Sequence, residues 1–95
     1  MNFAEAIECM KGKQVVRRSQ QTNVFVTMQI PQDISADIVP KMTSLCSRAK
    51  DLILLYPKHI HYHNQFLIVN LDNGLATQYT PSTEDLLAND WVVIK

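Results

Sequence analysis

The chain has 95 residues, with nine Lys and Arg set against nine Asp and Glu for a formal charge of zero. That length holds one domain with a modest core, and self-association is a natural way for so small a chain to bury more surface. Zero net charge excludes the electrostatic footprint of a protein that grips a nucleic acid polymer, so any nucleotide bound here is expected to be small.

Asn2 followed by Glu5 makes a capping-box pattern, and Phe3, Ala6, Ile7 and Met10 recur at i, i+3, i+4 and i+7. This spacing predicts an N-terminal helix that buries one stripe and ends at Gly12. Val15 and Val16 begin a short strand that delivers Arg17 and Arg18 to a polar loop, residues 19–23. With no bulky apolar residue, that loop is expected to face water or a ligand. Residues 24–30 then alternate, with Val24, Val26, Met28 and Ile30 on one face and Phe25, Thr27 and Gln29 on the other, before Pro31 closes the strand.

Residues 32–58 carry Pro40, Pro57 and several serines suited to capping. Two short helices are expected there, one over 35–42 interrupted or restarted at Pro40, the other over 46–54 with Ala49, Leu52 and Ile53 as its apolar stripe. His59, His61 and His63 alternate, so in an extended chain their rings share one face. No Cys, Asp or Glu at ligand spacing completes a tetrahedral set, and no metal is expected.

The C-terminal third parses most clearly. Residues 65–70 are rich in β-branched and aromatic side chains, Asp72, Asn73 and Gly74 suit a tight turn, and 75–79 return as the partner strand. Pro81 stops that strand, Ser82 caps a helix through Asp85, Leu86 and Leu87, and 90–94 form a closing strand. The expected fold is α+β: a small antiparallel β-sheet with an N-terminal helix, short inserted helices and a short C-terminal helix, as one domain over 1–95.

Two cysteines, Cys9 and Cys46, lie far apart without metal-ligand spacing, which suits reduced thiols. No apolar run approaches the length of a membrane span, and the first residues are acidic and amphipathic, unlike a signal sequence. Neither membrane association nor secretion is expected. No nucleophile stands beside a base, and Gly12 and Gly74 make no glycine-rich phosphate loop, so neither an enzyme nor a cofactor is expected. Of the polar residues, Arg17 and Arg18 have guanidinium forks shaped for phosphate, and strand alternation lets at most one of the two reach a given pocket. Asp85 has the means to accept from a ribose hydroxyl or an exocyclic amine, yet it also stands where a carboxylate closes a capping box with Ser82. Trp91 and Tyr79 read as core or subunit-interface aromatics.

Four segments in order, MNFAEAIECMKGKQVVRR, NVFVTMQIPQDISADIVPKMTSL, YHNQFLIVNLDNG and TPSTEDLLANDWVVI, resemble a family of small phage and prophage proteins associated with Thoeris anti-defence, second type. The pattern P-S-x-x-D-L-L-A-x-D-W, from Pro81 to Trp91, is the most specific part. The resemblance implies a sponge that binds cyclic ADP-ribose isomers made by bacterial TIR-domain proteins, or cyclic oligonucleotides, without cleaving them. It also implies homotetramers with ligand pockets where protomers meet, and a cytoplasmic location in an infected or lysogenic bacterial host.

Carried over by position, Asp85 matches a residue implicated in ligand recognition, and Asn23 and Phe25 match the strand that follows the binding loop. Phe25 would offer a ring face to adenine; stacking of a base on an aromatic is worth roughly 1 to 3 kcal/mol in single-strand binders. Asn64 and Gln65 match a recurrent polar pair at the start of the central strand, expected in the pocket wall. One departure stands out in the loop, where Gln20 occupies the position of the family's tryptophan and the segment is one residue shorter. An amide in place of an indole removes a stacking platform and leaves hydrogen-bonding groups; where that abolishes the usual pocket, a cyclic di- or trinucleotide is expected instead. The rival expectation is a phage interaction or structural module that keeps the fold, has lost the nucleotide pocket and binds a protein.

Overall fold

A computed structural model describes residues 1–95 and divides them into two units, Met1–Gln29 with Asn64–Lys95, and Ile30–His63. In chain order the elements are α1 (Phe3–Lys11), β1 (Val15–Arg18), β2 (Val24–Met28), β3 (Gln32–Ile34), a 3₁₀ turn (Val39–Lys41), α2 (Ser47–Leu55), β4 (Ile60–Tyr62), β5 (Phe66–Asn70), β6 (Ala76–Gln78), α3 (Thr83–Leu87) and β7 (Trp91–Ile94). The fold is α+β, as the sequence pattern predicts.

In the first unit, Asn2 Oδ1 accepts from the Glu5 amide at 2.9 Å and Glu5 Oε1 from the Asn2 amide at 3.0 Å, closing the capping box of α1. Helical spacing then puts Phe3, Ala6 and Met10 on one buried face. At the far end the Gln14 amide donates to the Cys9 carbonyl at 3.1 Å and the Lys13 amide to Met10 at 3.0 Å, the paired bonds of a Schellman ending. Gly12 is the C-cap, but the left-handed residue is its neighbour Lys13, at φ 67°. Gly12 itself stands at φ −82° and ψ 15°, a conformation open to any residue.

Five strands form one antiparallel sheet in the order β6-β5-β2-β1-β7. The register sets Val16 opposite Val26 and Val93, Val26 opposite Ile68, and Arg18 opposite Trp91. Because side chains alternate, Val16, Val26 and Trp91 share the face that receives α1, and with Phe3, Ala6 and Met10 they make the core. Trp91 is 1% exposed, its ring 5.1 Å from that of Phe3. Val15, Arg17, Phe25, Thr27, Val92 and Ile94 occupy the second face and are half-buried.

Strand β2 stops at Met28, two residues short of the expected 24–30, because its partner β5 begins at Phe66, opposite Met28. Ile30 therefore leaves the apolar face and is 65% exposed. The β5–β6 hairpin turns at Gly74, whose φ of 74° is the left-handed conformation expected of that turn. Strand β6 is shorter than the expected 75–79, although the Tyr79 amide still donates to the Phe66 carbonyl at 2.8 Å.

The second unit departs further from expectation. Gln32–Ile34 pairs antiparallel with Ile60–Tyr62 as a ribbon that sequence reading does not anticipate. The helix expected over 35–42 is only the 3₁₀ turn Val39–Lys41, with Pro40 in its first turn. Proline's missing amide suits a helix start and prevents an i→i−4 bond there. Helix α2 agrees with the expected 46–54 to within one residue, Cys46 serving as N-cap without a side-chain bond. Ile34 and Val39 are the buried side chains of this unit, and α2 buries none. No helix of either unit is long and apolar enough to cross a membrane.

Candidate functional site

Residues 19–23 join β1 to β2, and all five side chains are exposed. The root of this loop is held firmly. The Ser19 amide donates to the Asp90 carbonyl at 3.0 Å and the Ser19 hydroxyl to Asp90 Oδ2 at 2.9 Å. Across the loop, the Leu71 amide donates to the Asn23 carbonyl at 2.8 Å.

Behind Ser19 lies a closed polar network. Arg18 lies opposite Trp91, so its side chain turns to the α1 side of the sheet, where it is 15% exposed. There Nε donates to Asp90 Oδ1 at 2.5 Å and Nη1 to Asp85 Oδ1 at 2.9 Å, while Glu84 approaches Nη2 at 3.9 Å from solvent. Asp85 Oδ2 accepts from the Tyr79 hydroxyl at 2.7 Å and from the Ser82 amide at 3.4 Å. The Asp85 amide in turn donates to Ser82 Oγ at 3.1 Å, completing the capping box of α3, and Trp91 Nε1 donates to the Asp85 carbonyl at 3.0 Å. Asp85 thus ties together, through its carboxylate, a helix cap, the guanidinium of β1 and the Tyr79 hydroxyl, and through its carbonyl the indole of Trp91.

The electrostatics follow from those bonds. Hydrogen bonds from Arg18 and Ser19 hold the Asp90 carboxyl below the usual range. Burial pushes Asp85 up, but bonds from Tyr79, Ser82 and Arg18 outweigh it and leave that carboxyl low as well. Arg18 is raised, chiefly by Asp90. Burial, then the bond to Asp85, pushes the Tyr79 hydroxyl well above its ordinary value. At neutral pH the network therefore holds one guanidinium, two ionised carboxylates and a neutral phenol.

Arg17 turns the other way, onto the second face. Its Nη1 donates to the carbonyls of Ser19 at 2.7 Å and Arg18 at 3.1 Å, and it pairs with no carboxylate. Phe25 lies on the same face, at the same end of the Val16–Val26 bridge, with Asn23 leading into its strand. The fold thus gathers Arg17, Gln20, Asn23 and Phe25 around one end of the β1–β2 hairpin and sets Arg18 with Asp85 behind it. Asn64 is not among them. It precedes β5 at the opposite end of the sheet, with Nδ2 3.8 Å from Met28 Sδ, five residues along β2 from Asn23. At ~3.3 Å per residue those five residues span about 17 Å.

Asp90, Ser19 and the Tyr79 hydroxyl complete the network without having been singled out from sequence. The available signal was the P-S-x-x-D-L-L-A-x-D-W pattern, which carries both carboxylates and the tryptophan. In the second unit, His59 Nδ1 lies 2.9 Å from Asp33 Oδ1 and His61 Nδ1 lies 4.0 Å from it, across the β3–β4 ribbon. No group of three His, Cys, Asp or Glu residues is placed to hold a metal ion. Cys9 and Cys46 are free thiols.

No curated protein matches the chain. A family model described as the Thoeris anti-defense 2-like domain matches residues 1–94. With 94 of 95 residues inside that match, and the P-S-x-x-D-L-L-A-x-D-W segment forming the cap and carboxylates behind the loop, the chain belongs to the Thoeris anti-defense 2-like family.

Proposed function

We propose that this protein opposes a phage-defence pathway by binding a cyclic nucleotide immune signal and holding it intact, so that the defence effector is starved of its activator. The signal is a cyclic ADP-ribose isomer of the kind made by TIR-domain proteins, or a cyclic oligonucleotide. The observation that carries this reading is the family match over residues 1–94. The hairpin end supports it: an exposed polar loop, a guanidinium without a carboxylate partner and an aromatic ring suit a small anionic aromatic ligand. Gln20 at the loop favours hydrogen bonding over stacking at that point.

Sequestration without cleavage also fits the network behind the loop. General acid–base catalysis is most effective with groups that titrate near the working pH. Asp85 and Asp90 are held low and Tyr79 high, so each stays in one protonation state at neutral pH. We place the protein in the cytoplasm of an infected or lysogenic host, as a homotetramer with ligand held where protomers meet. The exposed Leu52, Leu55 and Tyr56 of the α2 segment are apolar surface available to such an assembly.

The test is a thermal-shift screen of the purified chain against cyclic ADP-ribose isomers, cyclic di- and trinucleotides, and linear ADP-ribose and AMP as controls. A ligand at about 100 times its dissociation constant adds about 2.7 kcal/mol to stability, a shift that is easily read. A selective shift by one cyclic species, recovered unaltered after heat release, is the expected result. A shift by none of them, with pull-down of a host or phage protein that is lost when Leu52, Leu55 and Tyr56 are replaced by Ser, would establish the protein-binding module instead.

A further inference from the structure

We infer that the adjacent arginines divide the work of ligand binding: Arg17 meets the anionic part of the ligand, and Arg18 is a positioning residue that holds the 19–23 loop in shape through Asp90 and Asp85. This rests on the reading that the protein binds a cyclic nucleotide.

Two neighbouring cations at a binding loop look interchangeable in sequence. Their surroundings are not. Arg18 is matched by Asp90 at 2.5 Å and Asp85 at 2.9 Å, with Glu84 at 3.9 Å, and its side chain is 15% exposed. A phosphate brought to Arg18 would meet those carboxylates before it met an uncompensated charge. Arg17 faces the other side of the sheet and spends only Nη1, on two carbonyl oxygens. Nε and Nη2 keep their N–H groups for a ligand, and a guanidinium presents them in the planar fork that suits phosphate oxygens. Phe25, on the same face and at the same end of the hairpin, puts a ring where the base of that ligand would lie.

The positioning role of Arg18 is visible in how Ser19 is held. Asp90 accepts from Arg18 Nε through Oδ1 and from the Ser19 hydroxyl through Oδ2, while its carbonyl accepts the Ser19 amide. The Ser19 carbonyl is in turn the 2.7 Å acceptor for Arg17 Nη1. A chain of contacts therefore runs from Arg18 through Asp90 and Ser19 to the guanidinium of Arg17. Removing Arg18 releases Asp90, loosens Ser19 and lets Arg17 wander from the geometry in which its fork faces the ligand.

The experiment compares wild type with Arg17→Gln, Arg18→Gln and Arg18→Lys. Affinity for cyclic di-GMP, 3′,3′-cyclic GMP–AMP and cyclic ADP-ribose isomers is measured by calorimetry over a range of NaCl concentrations, alongside melting temperature and hydrogen exchange of the 19–23 amides. Arg17→Gln is expected to weaken binding by about tenfold or more and to flatten its salt dependence, with smaller changes in melting and loop exchange than Arg18→Gln. Arg18→Gln is expected to speed loop exchange, lower the melting temperature and weaken binding while keeping the wild-type salt dependence, and Arg18→Lys to restore part of each. Wild-type affinity in Arg17→Gln would overturn the inference, as would a flattened salt dependence in Arg18→Gln with unchanged loop exchange. If wild type binds none of the probes, the sequestering function itself falls, and unchanged loop exchange in Arg18→Gln would then sink the positioning role separately.

Discussion

Lys13, like Lys58, adopts a left-handed backbone conformation that an L side chain disfavours. It closes α1 in the left-handed region at φ 67°, a place normally taken by glycine, while the glycine of this segment stands one position earlier at φ −82°. Left-handed geometry costs an L-residue roughly 1 to 2 kcal/mol, partly offset here by the two amide bonds that satisfy the last carbonyls of the helix. Lys13→Gly should therefore stabilise the protein by about 0.5 to 1 kcal/mol, even though glycine is freer when unfolded. Urea unfolding checks this, and a loss of stability would mean that the Lys13 side chain contributes contacts that outweigh the strain.

At the scale of elements, the parts that could be read from sequence are those whose signals are local. Helix α1 and helix α3 each carry a complete capping box within four residues, Asn2 with Glu5 and Ser82 with Asp85, and both formed where expected. The β5–β6 hairpin likewise has its left-handed residue written as Gly74. Ser82→Ala should cost about 1 kcal/mol, within the 0.5 to 2 typical of a lost cap, with an unchanged denaturant slope. The β3–β4 ribbon was not legible, because three-residue strands offer no alternation and Asp33 meets His61 only through pairing. The candidate site was half legible for the same reason. Arg17 and Phe25 could be assigned to a face by counting along their own strands, whereas the bonds from Arg18 to Asp85 and Asp90 join positions 67 and 72 residues apart. Nothing local announces such a bond, and it is what separates the roles of two arginines that look alike in sequence.

For the whole molecule, a formal charge of zero means that stability against pH is governed by individual groups more than by net repulsion. The network behind the loop supplies those groups, and it predicts a plateau with two edges. Asp90 and Asp85 have folded values below their unfolded ones, so their contribution is present above the ordinary carboxylate pKa of about 4 and is lost as pH falls through the folded values. Tyr79 is raised in the folded state, so its contribution is complete below the ordinary phenol pKa of about 10 and is lost as pH rises through the folded value. Melting temperature should thus be flat, as far as these groups decide it, from about pH 5 to about pH 9 and fall on either side. The two edges are separable by substitution. Asp90→Asn should lower the plateau and shallow the acid edge, because the partner of Arg18 and Ser19 no longer titrates, while leaving the alkaline edge in place. Tyr79→Phe should remove the alkaline edge and leave the acid edge in place, at the cost of one hydrogen bond to Asp85, roughly 1.5 to 3 kcal/mol for a bond to a charged group. If both variants keep the wild-type profile, the pH response originates elsewhere, and the network would then be a geometric brace whose charges are balanced equally in the folded and unfolded chain.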